Sequence, residues 1–113
     1  MSCLFCKIIK NEIPAQKVFE NETVLGFKDI YPQSKEHYLF IHKSHTENIL
    51  ELIKEEKSLV EVMKGLSEFA ENSKLFENGF RIVTNKGKHG AQSVFHTHFH
   101  LLGGEQLGGF GVN

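Results

Sequence analysis

Three histidines alternate with other residues near the end of the chain, in the segment 95–102 (Phe-His-Thr-His-Phe-His-Leu-Leu). In an extended strand, side chains two positions apart project from the same face, so His96, His98 and His100 would each lie about 6.5–7 Å from the next. A helix would turn the middle histidine away from the other two. The alternation therefore predicts a strand over 93–102. Its opposite face would hold the residues that point to the core, Phe95, Thr97, Phe99 and Leu101.

The imidazole face has more than one interpretation. Three neighbouring imidazoles carry too many donors and acceptors to be buried without partners. A solvated strand face, a metal-binding strand and a surface for phosphate chemistry all fit the alternation alone. The preceding residues favour phosphate chemistry, because Asn85 comes before a glycine-containing loop and the segment 90–93 (Gly-Ala-Gln-Ser) leads directly into the histidines. Backbone N–H groups of such a loop can bind phosphate oxygens.

The charge balance and the lack of long apolar runs argue against several classes of binding partner and location. The chain of 113 residues is the size of one domain, and its 14 acidic residues nearly balance its 13 Lys and Arg. Without a basic excess, we expect neither a nucleic acid nor an anionic membrane surface as a partner. No apolar run approaches the ~20 residues of a membrane span, and the segment 1–7 lacks the charged and apolar regions of a secretory signal. We therefore expect a cytoplasmic protein.

The remaining hydrophobic pattern predicts an α+β domain. Residues 17–20 and 23–29 are expected to form a hairpin, followed by a strand over 37–43. Ser44 and Glu47 match a capping box, which predicts that an amphipathic helix begins there. The helix is expected to end at Asn78-Gly79, and a break within it near residues 54–58 is also compatible with the pattern. A strand over 79–85 and the histidine strand would complete an antiparallel sheet packed by the helix.

Cys3 and Cys6 form a C-x-x-C pair and are the only cysteines of the chain. A disulfide is not expected in a cytoplasmic protein, which leaves a redox dithiol, two free thiols or a zinc site. No thioredoxin-like βαβ pattern surrounds the pair, and this disfavours the redox interpretation. Zinc would need two further ligands.

Motifs along nearly the whole chain resemble the histidine triad family, in its Hint branch of nucleotide-binding phosphoramidases. The matching segments are 3–9 (CLFCKII), 12–14 (EIP), 27–33 (FKDIYPQ), 37–41 (HYLFI), 43–45 (KSH), 81–85 (RIVTN), 92–94 (QSV) and 96–100 (HTHFH). The resemblance implies one domain over 1–113, with an N-terminal arm over 1–10 and a glycine-rich tail over 103–113. It also implies the family's α+β fold, a five-stranded antiparallel sheet with one long and one short helix, which pairs in a homodimer to give ten continuous strands.

The resemblance implies a hydrolase that cleaves phosphoramidate or related α-phosphate bonds of purine nucleotides and releases AMP. His98 would be the nucleophile and would form a nucleotidyl-histidine intermediate. His100 and Ser93 would act near the leaving group, and His37 would complete a proton relay. Nucleotide contacts would come from Phe27, Asp29, Ile30, Asn85, Ala91, Gln92, Ser93, His98 and His100. The purine slot would also be lined by Leu4, Phe5, Ile8 and Ile13. A dinucleoside polyphosphate hydrolase and a non-catalytic nucleotide-binding signalling partner remain alternatives.

Some relatives with an N-terminal C-x-x-C bind zinc, and the resemblance implies a structural zinc site with no open position and no organic cofactor. Its ligands here would be Cys3, Cys6, His45 and His96. The chain departs from the family at Glu105, where arginine is usual, and over 107–113, where the family has a Trp-Pro-Pro tail. Both changes bear on substrate preference. Two histidines receive no role: His42, which we expect on a solvent-facing strand position where relatives commonly have proline, and His89, which we expect in an exposed loop.

Overall fold

The structure, a computed structural model, describes residues 3–110. The predicted extents of the domain, of the arm over 1–10 and of the tail over 103–113 reach beyond these residues and stay predictions. In chain order the elements are helix α1 (Leu4–Ile9), strands β1 (Lys17–Glu20), β2 (Val24–Lys28) and β3 (Glu36–His42), helices α2 (Ile49–Leu52) and α3 (Glu56–Asn72), a 3₁₀ turn (Lys74–Phe76), and strands β4 (Phe80–Val83) and β5 (His98–Gly103).

The five strands form one antiparallel sheet in the order β1-β2-β3-β5-β4. The α+β class and the five-stranded sheet are therefore confirmed. Within residues 3–110 there are two short helices besides the long helix α3, since part of the expected arm forms α1. In the β3–β5 pairing, Leu39 lies opposite His100 and His37 lies two pairs further along, opposite Leu102. This register puts His37 and His100 diagonally across neighbouring strands, within reach of each other's side chains.

Different elements cover the two faces of the sheet. Helix α3 covers one face, where Phe40, Leu66 and Leu101 are completely buried. The short helix α1 covers the opposite face, on which Phe5 and Ile8 pack against apolar residues of β2 and β3. Successive residues of a strand point to opposite faces of the sheet. Leu101 points toward α3, and the imidazoles of β5 therefore point toward α1.

The predicted helix boundaries were wrong at both ends. The capping residue is Asn48, whose side chain accepts hydrogen bonds from the N–H groups of Leu50 and Glu51. Ser44 does not begin the helix because the backbone just after it is held by the segment that precedes β5, where Thr97 donates its N–H to the carbonyl of Thr46 over 2.7 Å. The expected interruption lies between α2 and α3, and α3 ends at Asn72 instead of reaching residues 78–79.

The histidine strand begins later than predicted. β5 starts at His98, and His96 and Thr97 precede it in irregular backbone, because Thr97 bonds to Thr46 rather than to a neighbouring strand. Phe95, which the alternation assigned to the core, is 52% exposed. Within residues 3–110, no helix combines the length and the apolar content that crossing a membrane requires.

Candidate active site and metal cluster

A cavity of about 390 Å³ opens on the α1 face of the sheet, beside the start of β5. It brings together His37, His98, His100 and Ser93, the four residues predicted to be catalytic. Of the predicted nucleotide contacts, Phe27, Asp29 and Ile30 also line it, as do Leu4, Phe5, Ile8 and Ile13. The lining includes six residues that sequence reasoning did not assign to the site: Pro14, Ala15, Tyr31, Gln33, Leu39 and Val94.

Three of the missed residues carried a usable signal. Tyr31 and Gln33 lie in the same short motif as Asp29, between that residue and His37, so the motif as a whole marks the cavity wall. Leu39 shares the face of His37 because it is two positions along the same strand. Pro14 and Val94 also lie in segments that match the family, but their side chains carry no chemical signal. Ala15 is recognised only from the folded structure.

His98 is buried and its tautomer is determined by the backbone. Nδ1 of His98 lies 2.7 Å from the carbonyl oxygen of His96. A carbonyl oxygen only accepts, so Nδ1 carries the proton and Nε2 keeps a free lone pair. Burial lowers the pKa of His98, against the opposing effects of the His96 carbonyl and Asp29. The ring is therefore neutral at pH 7 and can act as a nucleophile.

His100 lies between two other histidines. Nδ1 of His100 is 2.8 Å from Nε2 of His37, and its ring packs edge-on against His98 with ring centres 5.1 Å apart. Burial, followed by the proximity of His98 and His37, lowers the pKa of His100 to about 4. Burial also lowers the pKa of His37, while Asp29, whose Oδ2 lies 3.4 Å from Nε2 of His37, opposes this shift. Both rings are therefore neutral at pH 7.

Three predicted nucleotide contacts do not line the cavity. The side-chain amide of Gln92 donates to the carbonyls of Glu47 and Val94, and its oxygen accepts from the N–H of Gly87. Asn85 donates to the carbonyl of Gly90 over 2.7 Å. Ala91 has a left-handed backbone with φ of 60°. These residues brace the loop that leads to Ser93, and their contacts with a nucleotide stay predictions.

The four predicted zinc ligands, Cys3, Cys6, His45 and His96, form one cluster whose ligand atoms all lie within 4.8 Å of one another. Nδ1 of His96 is 3.4 Å from Sγ of Cys3, 3.6 Å from Sγ of Cys6 and 3.2 Å from Nδ1 of His45. Sγ of Cys6 is 3.4 Å from Nδ1 of His45. Metal–ligand bonds of about 2.0–2.3 Å at tetrahedral angles separate the ligands by roughly 3.3–3.8 Å. The four distances of 3.2–3.6 Å are close to this range, and the donor set of two thiols and two imidazoles is compatible with zinc.

The second nitrogen of His96 explains why its Nδ1 is available. Nε2 of His96 lies 2.6 Å from the carbonyl oxygen of His42 and donates to it, so Nδ1 is unprotonated and directed at the cysteines. Burial raises the pKa of Cys6, and Cys3 adds to this effect. Binding of a metal would therefore release a thiol proton.

His42 is not the solvent-facing residue that its strand position predicted. It is 2% exposed, and its Nδ1 lies 3.4 Å from the hydroxyl of Thr46. That hydroxyl is 2.7 Å from the hydroxyl of Thr97. His42 therefore belongs to a buried polar group behind the cluster, whereas His89 is exposed in its loop as expected.

Known proteins from several organisms are similar to nearly the whole chain. The family model described as scavenger mRNA decapping enzyme C-term binding matches residues 2–111. The solved structure of a HIT (histidine triad) family hydrolase from Clostridium thermocellum has a TM-score of 0.91 and 39% sequence identity, over 98% of this chain and 97% of that chain. The chain belongs to the histidine triad family. The resemblance drawn from its motifs is confirmed.

Two relatives of this histidine triad protein have names that describe a chemistry. The 14 kDa zinc-binding protein of Zea mays is 43% identical over 107 residues, which cover 92% of this chain and 83% of the relative. The purine nucleoside phosphoramidase of Escherichia coli strain K12 is 37% identical over 106 residues, which cover 93% of this chain and 89% of the relative.

The tail of this histidine triad protein folds back onto the body of the molecule as far as it is described. Glu105, the residue that departs from the family's arginine, accepts a hydrogen bond of 2.7 Å from the backbone N–H of Lys35. Arg81 donates to the carbonyl of Gly108. A second cavity, of about 880 Å³, lies between this tail and the start of β4. Glu105 therefore fastens the tail to the segment before β3.

Proposed function

We propose that this histidine triad protein hydrolyses phosphoramidate or related α-phosphate bonds of adenylylated compounds and releases AMP. The observation that carries the proposal is the neutral ring of His98, with Nε2 unprotonated, in a cavity that it shares with His100. The names of the Escherichia coli phosphoramidase and the Clostridium thermocellum hydrolase support this class of reaction.

His98 is the proposed nucleophile. In the first step its Nε2 bonds to the α-phosphorus, the bond from phosphorus to the leaving amine breaks, and the amine takes up a proton. In the second step water attacks the same phosphorus, Nε2 leaves, and a proton returns to the solvent. AMP and a free amine are the products. Splitting one difficult displacement into two in this way leaves the protein mainly to position the groups and to stabilise charge.

His100 and Ser93 are proposed to bind the phosphoryl and leaving groups. His100 is neutral at pH 7 and directs one N–H group toward the cavity, where a phosphoryl oxygen gains negative charge during attack. Removing one such donor from a dry site commonly slows catalysis by about 10²–10³-fold. Ser93 is exposed and offers a hydroxyl at the same side of the cavity.

The apolar part of the cavity is the proposed purine site. Its walls are formed by Phe27 and Ile30 together with residues of α1, and its volume is within the range of small-molecule sites. Asp29 is proposed to accept hydrogen bonds from the ribose hydroxyls. Asn85, Ala91 and Gln92 are proposed to complete the ribose and phosphate contacts from the loop before Ser93.

We propose that the cluster of Cys3, Cys6, His45 and His96 holds a structural zinc ion. The tetrahedral spacing of the four ligand atoms and the zinc-binding relative from Zea mays support this. Zinc with four protein ligands supplies folding energy and no open coordination position. In this role the four residues would anchor α1 to the segment that precedes β5.

A homodimer and a cytoplasmic location complete the proposal. β4 is an edge strand on which Phe80 is 47% and Ile82 is 42% exposed, an arrangement that favours pairing with a second copy of the strand. An isologous pairing of this kind would give one continuous ten-stranded sheet.

Release of AMP from adenosine 5′-phosphoramidate and from diadenosine polyphosphates tests the function. We expect wild type to prefer the phosphoramidate and the His98→Ala variant to be slower by about 10³-fold or more. His89→Ala, which changes an exposed histidine outside the cavity, is the matched control. Preference for polyphosphates would favour a dinucleoside polyphosphate hydrolase. Equal binding of AMP by both proteins without turnover in either would identify a binding module.

A further inference from the structure

A hydrogen bond from the main chain determines the protonation of His37. The backbone N–H of Gln33 lies 3.0 Å from Nδ1 of His37 and donates to it. A backbone N–H has no lone pair to offer, so Nδ1 must be the acceptor and cannot carry a proton. The neutral ring then carries its single proton on Nε2.

The contact between His37 and His100 has one consistent assignment. Nε2 of His37 and Nδ1 of His100 are 2.8 Å apart, a hydrogen-bond distance that requires one proton between them. If His100 supplied that proton, both nitrogens of His37 would be acceptors and the ring would be an anion. His37 is therefore the donor, and His100 keeps its own proton on Nε2.

The surroundings of His37 keep it in this form. The residue is 5% exposed, and a second proton on Nδ1 would set two N–H groups against each other across 3.0 Å. Burial lowers the pKa of His37, in agreement with this geometry, although Asp29 opposes the shift. Asp29 faces Nε2, where the proton already is, at 3.4 Å.

We propose that Gln33 is a positioning residue whose backbone N–H fixes His37 as a permanent hydrogen-bond donor to His100. The inference rests on the proposed function of the cavity and revises one expectation drawn from the family resemblance, the proton relay through His37. A relay residue must take up one proton while it releases another. His37 cannot do so, because the Gln33 amide blocks the nitrogen at which a second proton would arrive.

The assignment also restricts the source of the leaving group's proton. Transfer of the Nε2 proton of His100 would create an imidazolate, unless His37 gave up its own proton and became the anion instead. His100 is therefore not the source of the amine's proton, which comes from solvent, directly or through the exposed hydroxyl of Ser93. The water that attacks phosphorus in the second step returns a proton, so none is consumed overall.

Nitrogen–nitrogen couplings through hydrogen bonds test the assignment on the uniformly ¹⁵N-labelled full chain at pH 7. We expect a correlation between the backbone nitrogen of Gln33 and Nδ1 of His37, with Nδ1 at the chemical shift of an unprotonated ring nitrogen. Gln33→Ala keeps the backbone N–H and should keep the correlation, whereas His37→Gln should remove it. A protonated Nδ1, or a Gln33 amide without a correlation to an imidazole, would overturn the inference.

Replacement of His37 by glutamine tests whether His37 acts as a hydrogen-bond donor or as a proton carrier. Its amide nitrogen can donate from near the place of Nε2, but it cannot pass a proton on. We expect His37→Gln to hydrolyse adenosine 5′-phosphoramidate within about tenfold of wild type. His37→Ala, which leaves His100 without its donor, should be about 10- to 100-fold slower than His37→Gln. Circular dichroism checks that both variants are folded.

Equal losses in the two variants would overturn the inference, since removal of a proton carrier costs about 10²–10⁴-fold whichever residue replaces it. The two measurements also separate this inference from the proposed function. If the couplings are present and wild type does not cleave the phosphoramidate, the proposed function fails and the assignment at His37 stands. If wild type is active and the couplings are missing, the inference alone fails.

Discussion

The carbonyl oxygen of His96 accepts a hydrogen bond of 2.7 Å from Nδ1 of His98. The ring of His96 belongs to the cysteine–histidine cluster, with Nδ1 3.4 Å from Sγ of Cys3. One residue thus joins the candidate metal site to the candidate nucleophile. Contacts that fix the ring of His96 therefore also position its carbonyl group, which selects the tautomer of His98.

Removal of the metal is expected to destabilise the protein. A ligand that binds only the folded state stabilises it by mass action, so a chelator should lower the midpoint of thermal unfolding, by at least about 4 °C for a loss of 1 kcal/mol. Protein purified without chelator should contain about one zinc per chain, and Cys6→Ser should contain less and lose its response to chelator. His89→Ala should behave as wild type. Wild-type protein without zinc, or a midpoint of thermal unfolding that chelator leaves unchanged, would contradict the proposed zinc site.

Stability is expected to fall at acidic pH, partly through His100. Its pKa in the folded protein is lowered to about 4 from an ordinary value of 6.5. Between these values the unfolded chain binds more protons than the folded one, so the free energy of unfolding decreases as the pH falls from 6.5 toward 4 and the stabilisation is complete above 6.5. Urea unfolding of wild type and His100→Gln at several pH values checks this. The free energy of unfolding should change less steeply with pH in the variant, by an amount that corresponds to up to one bound proton. Identical slopes would contradict the shifted pKa.

The loop before Ser93 carries a residue in a strained conformation. Ala91 has φ of 60°, a left-handed conformation that costs a residue with a Cβ about 1–2 kcal/mol. Ala91→Gly is expected to leave the free energy of unfolding unchanged or to raise it by up to about 1 kcal/mol, because relief of strain offsets the greater freedom of glycine in the unfolded chain. Gly87→Ala, in the same loop at φ of 73°, is the matched control and should lower it by about 1 kcal/mol. A loss of stability in Ala91→Gly would argue against the left-handed backbone.

Asp29 is expected to distinguish ribose from deoxyribose substrates. A hydrogen bond from a hydroxyl to a carboxylate contributes about 1.5–3 kcal/mol, so Asp29→Asn should lower kcat/KM for the ribonucleotide by roughly 10- to 100-fold. Asparagine keeps the oxygen that accepts from the N–H of Tyr31, which preserves the local turn. With a 2′,3′-dideoxy substrate, the kcat/KM values of wild type and Asp29→Asn should differ by less than about threefold. Measurement of kcat and KM for both proteins on both substrates checks this. Equal losses on both substrates would mean that Asp29 acts through His37 and not on the ribose.

The parts of the fold that depend on local patterns were predictable. The hairpin around Asn21 and the strand over 37–43 follow from alternation and turn residues, and they lie within a residue or two of their predicted places. The helix start and the start of β5 were wrong for one shared reason. Thr46 and Thr97 bond to each other across 51 residues of sequence, and no local pattern reports a contact of that kind.

The candidate site was predictable where side-chain chemistry was distinctive. Cys3, Cys6, His45 and His96 are far apart in sequence but carry ligand atoms that few other residues offer, and the family resemblance named all four. The burial of His42 was not predictable in this way, because it depends on tertiary contacts: its ring lies 3.4 Å from the hydroxyl of Thr46, which in turn contacts Thr97. Gln92 was assigned to substrate by its motif, although its side-chain amide is hydrogen-bonded to backbone groups of Gly87, Val94 and the distant Glu47.

The central claim is that Nε2 of His98 bonds to the nucleotide during turnover. Rapid acid-free quenching of wild type with adenosine 5′-phosphoramidate, followed by intact-mass and peptide mass spectrometry, tests it most directly. We expect a transient gain equal to one AMP less one water, located on His98 and missing from His98→Ala. Steady release of AMP by His98→Ala at the wild-type rate, or an adduct located on another residue, would show that His98 is not the nucleophile.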